Sequence, residues 1–242
     1  MLPRDKDICW KDGSACTYKT QYQVTFKQVG LDASADMAVV TGDIDSPVQS
    51  ISISFGDFDK TYWADKDTQV DFTYAATVTS STAGKQFVRT GVSMTSPQTV
   101  TGALEITGTY QIQYELTMAT NFGTTSPAVG GGHWYSAGTL VTIRATAPAA
   151  GTGEAYAWNG WTGTGTGSYT GAVNPSSVTM SGPITETALW IKSTVTVNTT
   201  SQQYSDLVTF TATLTPDSVG GTPPGYQCYI QDWVTDNGGN SC

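Results

Sequence analysis

An all-β chain of tandem small domains is the fold class the sequence predicts, and three observations carry it. Short runs alternate apolar and polar residues, as in Tyr22-Gln-Val-Thr-Phe26 and Leu140-Val-Thr-Ile-Arg-Ala145, the period of a half-buried strand. Between the runs sit Gly, Pro, Asn and Asp, the residues of tight turns. Charged residues make up only 13% of the 242 positions, against about 25% in an average soluble protein. Thr, Ser, Gly and aromatic residues fill their place, and β-branched and aromatic side chains suit a pleated surface.

In chain order, residues 1–18 read as an irregular arm, with Lys11-Asp-Gly-Ser14 as a turn between Cys9 and Cys16. Residues 19–112 form the first β-domain. Its expected strands are Tyr22–Phe26, Met37–Val40, Val48–Phe55, Thr61–Trp63, Val70–Ala75, Gln86–Arg89, Gln98–Val100 and Ala103–Tyr110. Residues 113–191 form the second, with strands at Leu140–Ala145, Tyr156–Trp161, Ser177–Met180 and Ile184–Trp190. Residues 192–242 begin a new pattern, with alternating strands at 195–197 and 207–214, too short for a whole β-sandwich of about 100 residues.

The second domain answers the first. Tyr114-Glu-Leu-Thr117 matches Tyr22-Gln-Val-Thr25, and Trp134 to Thr139 matches Trp63 to Thr68. Val141-Thr-Ile143 matches Val70-Asp-Phe72, Gly153 to Tyr156 matches Gly84 to Phe87, and Ile184-Thr-Glu-Thr187 matches Ile106-Thr-Gly-Thr109. Matches in one order with insertions confined to loops predict tandem units. Tyr110-Gln-Ile-Gln-Tyr114 continues the last strand of one unit into the first strand of the next without Pro or Gly, so the joint between the units should be stiff.

Residues 114–190, with the Trp-Tyr-Ser-Ala-Gly-Thr turn, the Asn-Gly-Trp-Thr-Gly-Thr-Gly-Thr-Gly loop and the Ile-Thr-Glu-Thr-Ala-Leu-Trp ending, resemble the bacterial and archaeal surface repeats related to the InlB B-repeat group. Residues 22–110 resemble a longer variant of archaeal cell-surface and thermopsin-associated proteins. Residues 193–216 resemble the first strands of bacterial Ig-like domains. The resemblance implies an extracellular, non-catalytic stalk, surface-layer or fibre module, and it brings no catalytic residues with it.

Charge and cysteines bear on the setting. A net charge of −9 repels phosphate backbones, which argues against nucleic acid as a partner, and no apolar run reaches the length of a membrane span. The N-terminal MLPRDKDIC lacks the apolar core of a signal peptide, so a signal or anchor is expected to have been removed or to lie in a longer parent. Cys9 with Cys16 and Cys228 with Cys242 are close in sequence and lie in polar segments, so two local disulfides are expected among three possible connectivities.

Candidate sites are few. His133 is the only histidine, so neither a catalytic triad nor a multi-histidine metal site is expected within this chain, and it follows Gly130-Gly-Gly132 as an expected loop residue. No nucleophile elbow, P-loop or dinucleotide fingerprint is present, and Gly163-Thr-Gly-Thr-Gly167 reads as a flexible loop. The chain is therefore read as no enzyme and as needing no cofactor, calcium being the one candidate ion. Asp43/Asp45, Asp57/Asp59 and Asp65/Asp67 are D-x-D pairs that could offer oxygen ligands to calcium, or simply serve as turn acids.

The aromatic set Trp134, Tyr135, Tyr156, Trp158, Trp161 and Tyr169 is read mainly as core. Trp158, Trp161 and Tyr169 are held open as a glycan platform, with strand parity expected to place Trp161 on the face opposite Trp158. Asn198-Thr-Thr200 is an N-glycosylation sequon. A structural module assembling into filaments by strand addition is the leading expectation; a carbohydrate-binding adhesin and an accessory domain of a secreted hydrolase are the alternatives.

Overall fold

The computed structural model describes residues 3–8, 17–197 and 210–215. Its strands are β1 (Arg4–Ile8), β2 (Thr17–Val29), β3 (Ala38–Asp45), β4 (Val48–Ser54), β5 (Lys60–Asp65), β6 (Gln69–Tyr74), β7 (Thr77–Thr79), β8 (Lys85–Val92) and β9 (Gln98–Thr99). They continue with β10 (Leu104–Thr120), β11 (Thr124–Ser126), β12 (Gly130–Ser136), β13 (Leu140–Thr146), β14 (Glu154–Thr164), β15 (Ser176–Thr179), β16 (Ile184–Val197) and β17 (Phe210–Thr215). Among the described residues one 3-10 turn, Phe55–Asp57, interrupts them. The fold is all-β, as the alternation predicts.

One long sheet organises the chain. Three strands, β2, β10 and β16, lie parallel in it, β10 between the other two. Strand β10 changes partners along its length: residues 104–109 pair with β2 and residues 108–114 with β8, whereas residues 113–118 pair with β12 and residues 116–120 with β16. The expected boundary after residue 112 therefore falls inside a continuous strand, because nothing from Tyr110 to Tyr114 breaks the ladder. The boundary after residue 191 likewise falls inside β16. Residues 193–197 continue that strand and pair antiparallel with β17 instead of starting a separate one.

Two smaller sheets cover this long sheet. The order β4-β3-β6-β9 closes a first sandwich around Val24, Phe26, Ile44, Ile53, Phe72, Tyr74, Phe87 and Ile106. The order β11-β13-β15 closes a second around Leu116, Met118, Ile143, Trp161, Met180 and Trp190. Alternation explains which residues go inward: in β6 and in β13 every second side chain is buried and the others face solvent.

The sequence correspondences have geometric counterparts. Gln23 pairs with Trp63 and Glu115 with Trp134. Asp67 and Gly138 occupy the same turn position with φ 63° and 82°, and their N–H groups donate to Val100 and Met180 carbonyls at 2.8 and 2.9 Å. Asp is one of the few non-glycine residues that tolerates the left-handed region, so Ala-Asp-Lys-Asp closes the same turn as Ser-Ala-Gly. One match shifts. Val24 lies beside Leu104 and its counterpart Leu116 beside Ile184, so the register equates Leu104 with Ile184 and Ile106 with Glu186. Pairing Ile106 with Ile184 by their shared Ile-Thr-x-Thr is two residues off, an even slip that conserves parity and so leaves the apolar pattern intact.

The expected irregular arm contains a strand. β1 pairs with β2 from Arg4↔Gln21 to Ile8↔Thr17. Its Arg-Asp-Lys-Asp-Ile sequence has no apolar alternation because an edge strand needs only backbone partners.

Candidate functional site

The aromatic block is built by β14 and β16. Trp158 lies opposite Trp190 and Trp161 opposite Ala188, with Asn159 as the extra residue of a β-bulge between them. The bulge overturns the parity expectation. One inserted residue restores Trp161 to the face of Trp158, and their ring centroids stand 5.5 Å apart in an edge-to-face contact. Trp158 also meets Trp190 at 4.9 Å. Trp161 is only 2% exposed, so this ring belongs to the core and offers no stacking surface to a sugar. Trp158 gives its indole N–H to the Ala172 carbonyl, and the Tyr169 hydroxyl accepts from the Val173 N–H, so both rings brace the loop after β14.

Beside this block lies a residue the sequence reading did not single out. Glu186 is fully buried. Its Oε1 accepts the Tyr169 N–H at 2.7 Å, while its Oε2 has no hydrogen-bond partner. Burial pushes the carboxyl up to about 7, against the Tyr169 bond, which favours the ionised form. The indole N–H groups of Trp161 and Trp190 are buried and unpartnered as well. Gly163, opposite Glu186, leaves the room this carboxyl occupies, since a Cβ there would stand 2.4 Å from Oε1. The Gly-Thr run expected as a flexible loop is thus partly strand, and its turn is fixed by Gly167 at φ 94°, where a Cβ would collide with the Thr179 carbonyl. A sequence signal for Glu186 existed: it shares the parity of Ile184, Ala188 and Trp190.

The D-x-D residues are dispersed. Asp43 and Asp45 project from β3, Asp57 accepts the Ser54 N–H at 3.1 Å, and Asp59 sits at φ 55°. Asp65 is committed to protein partners. Its carboxylate accepts Lys19 Nζ at 2.8 Å, Gln21 Nε2 at 2.7 Å and Ser46 Oγ at 2.6 Å. Burial works to raise its pKa, yet these hydrogen bonds and the Lys19 charge together hold it down at about 2. Gln21 in turn accepts from Arg4, whose guanidinium lies 4.0 Å from the Trp63 ring, so Asp65 ties β1, β2, β5 and the β3–β4 turn together. Among the described residues no three acidic, histidine or cysteine side chains converge as a metal site would require.

His133 lies in β12 opposite Leu116, with its ring nitrogen 2.8 Å from the Ala128 carbonyl, so the loop expectation is corrected. The preceding glycines mislead it: Gly130 and Gly131 belong to the strand rather than to a loop. An open cleft of about 450 Å³ runs between β6 and β8, lined by Phe72, Tyr74, Arg89, Gly91, Met94 and Ser96. Arg89 is used there structurally, donating to the Tyr74 carbonyl. Cys9, Cys16, Cys228, Cys242 and Asn198 lie outside the described residues.

No family model, curated protein or solved structure matches this chain.

Proposed function

We propose that the chain is a non-catalytic extracellular structural module, a stiff spacer or stalk built of tandem β-units. The observation that carries this reading is β10: one 17-residue strand closes the first sandwich and opens the second. A shared strand leaves no hinge, since bending at the joint would break ladders on both sides. The matching turns and strand registers of the two units support descent from one repeat, and β16 and β17 extend the same plan. Asp65, Asn121, Trp158 and Arg89 are engaged in holding loops and strands together, which suits a load-bearing role.

Immunogold labelling of the native material in the electron microscope tests the reading. Gold on extended surface structures is the expected outcome; label confined to the cell interior contradicts it.

A further inference from the structure

Strand β4 is the outermost strand of the β4-β3-β6-β9 sheet, and among the described residues nothing pairs with its outer edge. Its sequence, Val48-Gln-Ser-Ile-Ser-Ile-Ser54, has no charge, no proline and no bulge of its own. Proteins usually guard such an edge with one of these devices. The other edges of the two small sheets are cut short: β9, β11 and β15 have two, three and four residues. In the long sheet, β5 carries Lys60 and Asp65, and β14 has the Asn159 bulge with Gly171 hydrogen-bonded to both sides of Trp161. Val48, at 87% exposed, is the most exposed large apolar residue described and begins this strand.

The direction of the free backbone groups follows from the ladder. Phe72 donates its N–H to Ser96 Oγ, away from β3. Its ladder partner Gly42 therefore turns its own groups toward β4, where it faces Ile51. Ile51 is thus tied to β3, and Ser50 and Ser52 aim their N–H and C=O groups outward. Ser54 has the same outward sense, and its N–H is already taken by Asp57. Val48 shares the outward sense at the start of the strand, and Ser50 and Ser52 are the central residues whose N–H and C=O groups both lie open.

We infer that β4 is a self-pairing edge, joining two copies of this chain antiparallel about Ile51. In that register Ser50 of one copy meets Ser52 of the other, and each such pair exchanges two N–H···O=C bonds. Ile51 faces Ile51 on the buried side, the outward serines bring no charge into opposition, and Val48 gains a neighbour in Ser54. The match of the segment to itself is what selects a second copy as the occupant. Because the contact is isologous, it closes as a two-fold dimer and joins two rods side by side. The inference adds a mode of assembly to the spacer reading, which it presupposes for its use but not for its test.

Sedimentation velocity and native mass spectrometry on the full chain decide it, with circular dichroism to verify folding. Ser50 and Ser52 are both exposed, so charged replacements leave the core untouched. The wild type is expected to dimerise at high micromolar concentration. S50K/S52K should weaken the dimer by roughly tenfold or more, since two lysines then oppose each other at each of the two paired positions. S50K/S52E should dimerise again, because lysine then opposes glutamate at both. A strictly monomeric wild type, a dimer indifferent to S50K/S52K, or a monomeric S50K/S52E each overturns the pairing. None of these results moves the immunogold labelling, so the spacer reading stands or falls apart from them.

Discussion

The two sandwich units solve the same packing problem with opposite choices at equivalent positions. In the first, Ile106, Gly108 and Tyr110 face the core from β10, and the Tyr74 ring lies over Gly108, its one hydroxyl proton shared between the Lys27 and Ile106 carbonyls at 2.8 and 2.7 Å. In the second, Glu186, Ala188 and Trp190 take those places on β16, and the buried Trp161 is the ladder neighbour of Ala188 on β14. Both units set a large ring beside a small residue, but the ring comes from the facing small sheet in one unit and from the neighbouring strand of the long sheet in the other. Where the first unit has the apolar Ile106, the second has the buried acid Glu186. The shared backbone plan therefore does not dictate the polarity of the core; the loop does, since Glu186 is where the Tyr169 N–H needs an acceptor.

Making the first unit resemble the second should have the largest effect. Ile106→Glu places a carboxyl where no N–H waits for it, and we expect a loss of about 4 kcal/mol or more. Chemical denaturation will measure this, and a cost under about 1 kcal/mol would show that the first core adapts as the second has.

The pH dependence should run in opposite directions in the two units. Glu186 has a folded pKa of about 7, above its usual 4.5. Its contribution is full below 4.5, falls as pH rises toward 7, and is gone above, a change of about 3 kcal/mol in all. Asp65, held at about 2, contributes above pH 3.8 and loses that contribution as the pH falls toward 2. Urea titrations between pH 4 and 9 should show the decline in wild type and a flat profile in Glu186→Gln; a decline of equal size in both would assign it to another group.

How much of this was legible in the sequence depends on range. Alternation located the longer alternating strands, β6 and β13 among them, but not the short β7 and β11, while the Trp63 and Trp134 turns announced their equivalence, because these are local signals. Asn159 was not legible as a bulge, since a single inserted residue shows only when the opposite strand is in place, and strand parity alone therefore puts Trp161 on the wrong face. The strand Gly130–Ser136 was hidden for a different reason: its glycines carry a turn signal that pairing with β10 overrides. Glu186 escapes because the Ile-Thr-x-Thr match sets it against Gly108 rather than Ile106.

The smallest expected effect concerns the equivalent turns. Gly138→Ala forces a Cβ into φ 82° and should cost about 1 kcal/mol. Asp67→Gly at φ 63° trades local strain for chain entropy and should stay within about 0.5 kcal/mol. Equal and large losses from both changes, read as thermal midpoints, would mean that the turns are held by side chains rather than by backbone geometry.

Strand β10 is one uninterrupted strand shared by both units. Amide hydrogen exchange across residues 110–114 tests it most directly. Uniform slow exchange, matching that of Ile106 in the first core and Leu116 in the second, is the predicted result. Exchange at the junction as fast as that of an open loop, with protection on either side, would contradict the shared strand and leave two domains joined by a hinge.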